Sequence, residues 1–278
     1  MWSTIISAKD AFEHLFDANI VFIDCRFSLS DTAIGRQAYE ESHIPGSHYA
    51  HLDTDLSGPI IPGETGRHPL PEVSALVAKL RSWGISNESQ VIIYDDASGG
   101  VGSRLWWMLR WLGFNNAAIL DGGWAEWVRC RYPVTKDVSE SEEGTFVAFA
   151  DEVATIDASS VDKISKDNEW TLIDSRAAER YHGNVEPIDP IAGHIEGAIN
   201  HPFSQNVNED GTWKSSADLR KQFGETLSES VPENRIVFYC GSGVTACHNI
   251  LAYQHAGLGR ALLYPGSWSE WITEPDRL

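Results

Sequence analysis

The chain has 278 residues, 42% hydrophobic and 22% charged, the proportions of a soluble globular protein of one large domain or two ordinary ones. A formal charge of −19 and a pI near 4.8 argue against nucleic acid and anionic membrane surfaces as partners. Small anionic ligands stay open, because a few local arginines invert the field inside one cleft.

The N-terminal stretch MWSTIISAKDAFEHLFD has no basic segment leading into an apolar core, so no signal peptide is expected. No apolar run reaches the roughly 18 residues of a membrane span. The cysteines (Cys25, Cys130, Cys240, Cys247) form no CxxC pair and no Cys/His cluster. Neither a metal nor any other cofactor is expected, and free thiols suit a reducing, cytoplasmic location.

In chain order, VFID (21–24) reads as a strand, followed by SHIPGSHYAHLD (42–53). A helical pattern, PEVSALVAKLRSWG, ends at Gly84; VIIYDD (91–96) is a second strand; SRLWWMLRWLG is a helix ending at Gly113; and AAIL (117–120) is a third strand, running into ILDGGWAEW (119–127). Thr135 to Gly144 is polar and acidic, a linker. The same series then recurs as TLIDSR (171–176), GHIEGAINHPF (193–203), IVFYCG (236–241), a helix closed by Gly257, and LLYPGSWSEW (262–271). Asp24 and Asp174 lie 150 residues apart, Tyr94 and Tyr239 145, and Trp124 and Trp268 144. The chain is therefore one α/β unit written twice. Expected boundaries are 1–134, a linker 135–151, and 152–278, each unit a mostly parallel sheet flanked by helices on both faces.

Ligands of such sheets bind beyond the carboxyl ends of the strands, which is where Asp95 and Cys240 fall. The first unit has Asp95-Asp96 where the second has Cys240-Gly241, so only the second carries a nucleophile. Cys240-Gly-Ser-Gly-Val-Thr245 joins a strand to a helix. Gly241 and Gly243 are expected to take conformations closed to other residues, turning N–H groups inward. The helix start adds a favourable field for an anion, and Ser242 and Thr245 add hydroxyl donors. A thiol of pKa about 8.5 is only about 3% thiolate at pH 7. Lowering it by about two units takes roughly 2.7 kcal/mol, of which a helix terminus supplies about 0.3–1 kcal/mol. Several loop donors must supply the rest.

Plainer readings hold elsewhere. Cys25, Cys130 and Cys247 read as core residues. The D-x-R pairs Asp24/Arg26 and Asp174/Arg176 occur in both copies and read as structural, as do His43 and His194. The tryptophans fall at helical spacing or in the repeated close and read as core.

These residues resemble the tandem-domain rhodanese family of sulfurtransferases over nearly the whole chain. The loop CGSGVTA, the repeated DxR…HIxG and the GSWxEW close carry the likeness, and the loop is most similar to the 3-mercaptopyruvate sulfurtransferase branch. The resemblance implies that Cys240 takes up sulfur as a persulfide, and that Ser242, with His68 (in RHPLP) and Asp55 (in HLDTDLSG), manages protons. It implies that Gly241, Gly243, Val244 and Thr245 form the cradle and that Arg180 binds a substrate carboxylate. His68 has no counterpart in the second copy, which favours a functional role. The chain departs from that branch at EPIDPIAGHI, which lacks the usual second arginine; Arg67, beside His68, is the candidate replacement.

The implied activity moves a sulfane sulfur from 3-mercaptopyruvate or thiosulfate to a thiol, such as thioredoxin or a small thiol, or to cyanide. Two alternatives differ in class. A cysteine phosphatase needs Cys-x5-Arg, and the sixth residue after Cys240 is Ala246. A non-catalytic persulfide carrier needs no proton relay.

Overall fold

A computed structural model describes residues 1–138, 140–227 and 235–278; residue 139, inside the expected linker, lies outside the described residues. The first series of elements is β1 (Ile5–Ile6), α1 (Ala8–Glu13), β2 (Ile20–Asp24), α2 (Ile34–Glu41), β3 (His48–Tyr49), α3 (Val73–Ser82), β4 (Gln90–Tyr94), α4 (Gly102–Trp111), β5 (Ala117–Leu120) and α5 (Gly123–Arg129). The second is α6 (Ala158–Ile164), β6 (Thr171–Asp174), α7 (Ala178–Tyr181), β7 (Ile199–Asn200), α8 (Ser216–Thr226), β8 (Ile236–Tyr239), α9 (Thr245–His255), β9 (Leu262–Leu263) and α10 (Ser267–Trp271).

Both sheets are parallel throughout, in the orders β1-β5-β4-β2-β3 and β7-β6-β8-β9. Parallel strands need covered crossovers, and helices supply them: α4 packs on β4 and β5, and α9 packs on β8 and β9. The central strands are accordingly continuous apolar runs, with VIIY and IVFY wholly buried. Gly84, Gly113 and Gly257 each follow a helix with φ of +76°, +83° and +70°, the left-handed stop expected of them.

The repeat extends to side-chain detail. Asp24 pairs in register with Tyr94, and Asp174 with Tyr239. Each tyrosine hydroxyl accepts the N–H of an HI dipeptide, from Ile44 at 3.2 Å and from Ile195 at 3.1 Å. Each strand-ending aspartate accepts the guanidinium two residues on, Arg26 at 2.6 Å and Arg176 at 2.6 Å. Those guanidiniums lie over Trp124 and Trp268, 4.3 Å and 5.1 Å from the ring centres. The D-x-R motif is thus a buried structural ion pair at the carboxyl edge of each sheet.

Two cores follow. One gathers Ile6, Phe22, Ile92, Tyr94, Leu120 and Trp127; the other Val161, Leu172, Val237, Tyr239, Trp268 and Trp271. The chain divides into two compact units: Met1–Gly58, Pro71–Asp151 and Glu209–Trp213 form one; Pro59–Leu70, Glu152–Asn208 and Lys214–Leu278 form the other. Each unit thus includes a short segment from the opposite half of the sequence. His68 and Arg67 therefore belong to the same unit as Cys240. Among the described residues no helix is long and apolar enough to cross a membrane.

Candidate active site

Strand β8 ends at Tyr239, and Cys240 follows it at the carboxyl edge, 2% exposed. The backbone of Cys240 is held from the opposite turn: its N–H donates to Ser267 Oγ at 3.1 Å and its carbonyl accepts from Trp268 N at 3.0 Å. Ser267 has φ +56°, unusual for a residue with a side chain, and the equivalent position of the first unit is Gly123 at +55°. The serine keeps a glycine conformation, and its hydroxyl, donating to Tyr264 O at 2.9 Å, is what the glycine lacks.

The two loop glycines serve different needs. Gly243 has φ +74°, and a Cβ there would lie 2.3 Å from Pro265 O. Gly241 needs no left-handed backbone, contrary to the expectation from sequence. It is required for space, since its Cβ would stand 2.9 Å from Arg67 Nη2 and 3.5 Å from both Arg180 Nη atoms.

At the sulfur, burial pushes the thiol up and the Asp174 charge adds to this. The Thr245 hydroxyl and the N–H groups of Ser242 and Ala246 outweigh both, so Cys240 sits below the ordinary thiol range. Two residues on, Ser242 Oγ is 2.7 Å from His68 Nδ1, and both side chains are buried. The segment carrying His68 docks on the turn that also holds Cys240: Arg67 N donates to Ser269 Oγ at 3.1 Å. Gly66 approaches that turn so closely that a Cβ would lie 2.5 Å from Gly266 O.

Arg180, on α7, donates to Glu186 at 2.7 Å and to Asp189 Oδ2 at 3.0 Å. Arg67 Nη1 donates to the other oxygen of Asp189. Burial lowers the Arg67 guanidinium below its ordinary value, while the nearby Cys240 charge works the other way. Asp55 belongs to the first unit, where it accepts His51 N at 2.8 Å and pairs with Lys79 at 2.8 Å. The structure therefore brings Cys240, Ser242, Thr245, His68, Arg67 and Arg180 together within one unit and does not include Asp55 in it. Glu186, Asp189, Ser267 and the N–H of Ala246 escaped the sequence reading. The two acids were visible as carboxylates in EPIDPIAGHI, a stretch read only for the arginine it lacks.

The remaining cysteines divide. Cys25 and Cys247 are fully buried; Cys130 is only half-buried and donates to Glu126 at 3.3 Å. Its place at the end of α5 explains why it does not reach the core. Among the described residues no cluster of His, Cys, Asp and Glu could hold a metal ion.

The matching loop of the first unit is closed on itself. Asp95 Oδ1 accepts Ala97 N and Gly99 N at 2.9 and 2.8 Å, and Oδ2 accepts Val101 N and Gly102 N at 2.9 and 2.8 Å. Positions two and six beyond the aspartate correspond to Ser242 and Ala246, the two N–H donors to Cys240. An anion cradle is present in both units, and in the first a carboxylate of the chain itself fills it.

The Rhodanese-like domain family matches residues 7–130 and 157–274. A Pseudomonas aeruginosa protein named "Probable 3-mercaptopyruvate sulfurtransferase" is 42% identical over 274 residues, 98% of this chain and 96% of its own length. The thiosulfate sulfurtransferase of Rattus norvegicus is 32% identical over 258 residues, covering 90% of this chain and 84% of that one. The crystal structure of SseA from Escherichia coli, described as a 3-mercaptopyruvate sulfotransferase, superposes with a TM-score of 0.83 at 31% identity, over 97% of this chain and all of that one (100%).

Proposed function

The chain belongs to the rhodanese family, with two rhodanese-like domains in tandem, and we propose that it is a sulfurtransferase working through a persulfide on Cys240. The observation that carries this reading is the cradle around the sulfur: a buried cysteine held below the ordinary thiol range by one hydroxyl and two backbone N–H groups. Such donors stabilise a thiolate, and they stabilise a persulfide anion in the same place.

The transfer runs in two steps. The Cys240 thiolate attacks the sulfur of an anionic donor held by Arg180 and Arg67. The new S–S bond forms as the donor's bond to that sulfur breaks, and the electron pair leaves with the remainder of the donor. From 3-mercaptopyruvate that remainder is an enolate, which takes a proton at carbon to become pyruvate. In this reading Ser242 relays it, and its 2.7 Å contact with His68 supports that role. Asp55 enters the relay on resemblance alone. From thiosulfate the remainder is sulfite, which needs no proton. A thiol, such as thioredoxin or a small thiol, or cyanide then removes the outer sulfur and restores the thiolate.

The test is a steady-state comparison of 3-mercaptopyruvate and thiosulfate, with intact mass measured before and after donor. A gain of one sulfur, absent in Cys240→Ser, is expected; no adduct with either donor refutes the reading. Ser242→Ala should depress mercaptopyruvate turnover far more than thiosulfate turnover, and equal losses would remove the relay.

A further inference from the structure

Arg67 and Arg180 come from distant parts of the sequence, yet both guanidiniums stand over Gly241. Like charges that close repel, and in a half-buried setting the repulsion is weakly screened. What holds them side by side is a single carboxylate. Asp189 gives Oδ1 to Arg67 Nη1 and Oδ2 to Arg180 Nη2, and its side chain is 2% exposed. Glu186 fixes the other edge of Arg180, and the N–H of Asp189 donates to Glu186 at 3.0 Å.

This leaves a specific set of donors unused. Arg67 Nη2 and Arg180 Nη1 face Gly241, and neither makes a hydrogen bond among the described residues. The Nε–H of Arg67 is buried and also makes none. One arm of each arginine is thus spent on Asp189 while the other is presented at the cysteine loop.

We propose that Asp189 is a positioning residue that ties Arg67 to Arg180 and so builds a two-arginine subsite for the carboxylate of the sulfur donor. Arg67 takes the place of the arginine that EPIDPIAGHI lacks, and the acid in that stretch is what recruits it. The proposal deepens the sulfurtransferase reading and rests on it for the identity of the anion.

The experiment measures binding without chemistry. Pyruvate, a carboxylate with no sulfur to give, should protect Cys240 from iodoacetamide in the full-length protein. Arg67→Ala and Asp189→Ala should each raise the half-protecting pyruvate concentration about tenfold. The double variant should be no worse than either single one, because the two residues act as a unit. Asp189→Asn keeps the side-chain shape and should weaken protection in the same direction, which preserves the test if the alanine variant does not fold. With 3-mercaptopyruvate the loss should fall more heavily on KM than on turnover at saturating donor. Additive losses in the double variant, or stronger protection once Asp189 is replaced, would overturn the assignment. Failure of sulfur transfer in the parent protein would refute the enzymatic reading and leave the protection result to stand or fall separately.

Discussion

Replacing Thr245 by valine removes one hydroxyl from the sulfur of Cys240 and keeps the shape of the side chain at the first position of α9. A hydrogen bond to a charged acceptor contributes about 1.5–3 kcal/mol. At about 1.36 kcal/mol per pKa unit, its loss should raise the thiol by about one to two units. The direction is fixed because burial, the largest influence on this thiol, pushes upward and would then meet one fewer opposing hydrogen bond. Below its pKa each unit of increase costs about tenfold in thiolate, but the more basic thiolate is about threefold more nucleophilic. Alkylation by iodoacetamide near pH 6 should therefore slow only about threefold per unit. The pH midpoint of the alkylation rate reads the shift without this compensation, and it should rise by about one to two units. A midpoint that stays in place, or moves to lower pH, would refute the role given to the hydroxyl.

Two stability effects follow from buried titratable groups elsewhere. His201 is 1% exposed, and burial lowers its pKa to about 4. The unfolded chain, at about 6.5, takes up the proton first, so stability is complete above about pH 6.5 and falls as pH drops toward 4, with about 2 kcal/mol lost by pH 5. His201→Gln should flatten the urea midpoint between pH 7 and pH 5 relative to the parent; an unchanged slope would exonerate this histidine. Asp95→Asn turns an amide nitrogen toward two of the four N–H donors now met by carboxylate oxygens. At about 1–3 kcal/mol for each buried donor left unmet, the variant should lose about 2–6 kcal/mol in denaturant unfolding, and an unshifted midpoint would refute the filled-cradle description.

What is legible in the sequence is what depends on neighbours along the chain. VIIY and IVFY read as buried strands because every residue is apolar, and Gly84, Gly113 and Gly257 mark helix ends because few other residues accept that φ. Cys240 stands out because the repeat offers Asp95 for comparison. Contacts between residues distant along the chain leave no such trace. The pairing of Arg67 with Asp189 spans 122 residues, and neither periodicity nor composition marks it. Gly241 shows a related limit: sequence indicates that a glycine is wanted but not whether the reason is backbone angle or room for two guanidiniums. Ser267 looks like any turn serine until its φ and its bond to the Cys240 amide are seen.

The allocation of Pro59–Leu70 to the second compact unit bears on how the protein can be divided. Along the sequence the repeats invite a cut in the acidic stretch after residue 134. A fragment beginning there keeps the cysteine, Ser242 and Arg180 but leaves Arg67 and His68 behind. Extending it back to residue 59 recovers both while stranding 71–151 without β1, β2 and β3, three of the five strands of their sheet, and without the core residues those strands bring. The duplication is modular in inheritance but indivisible in use: the shortest continuous stretch that retains both whole sheets and every residue of the site is essentially the complete chain.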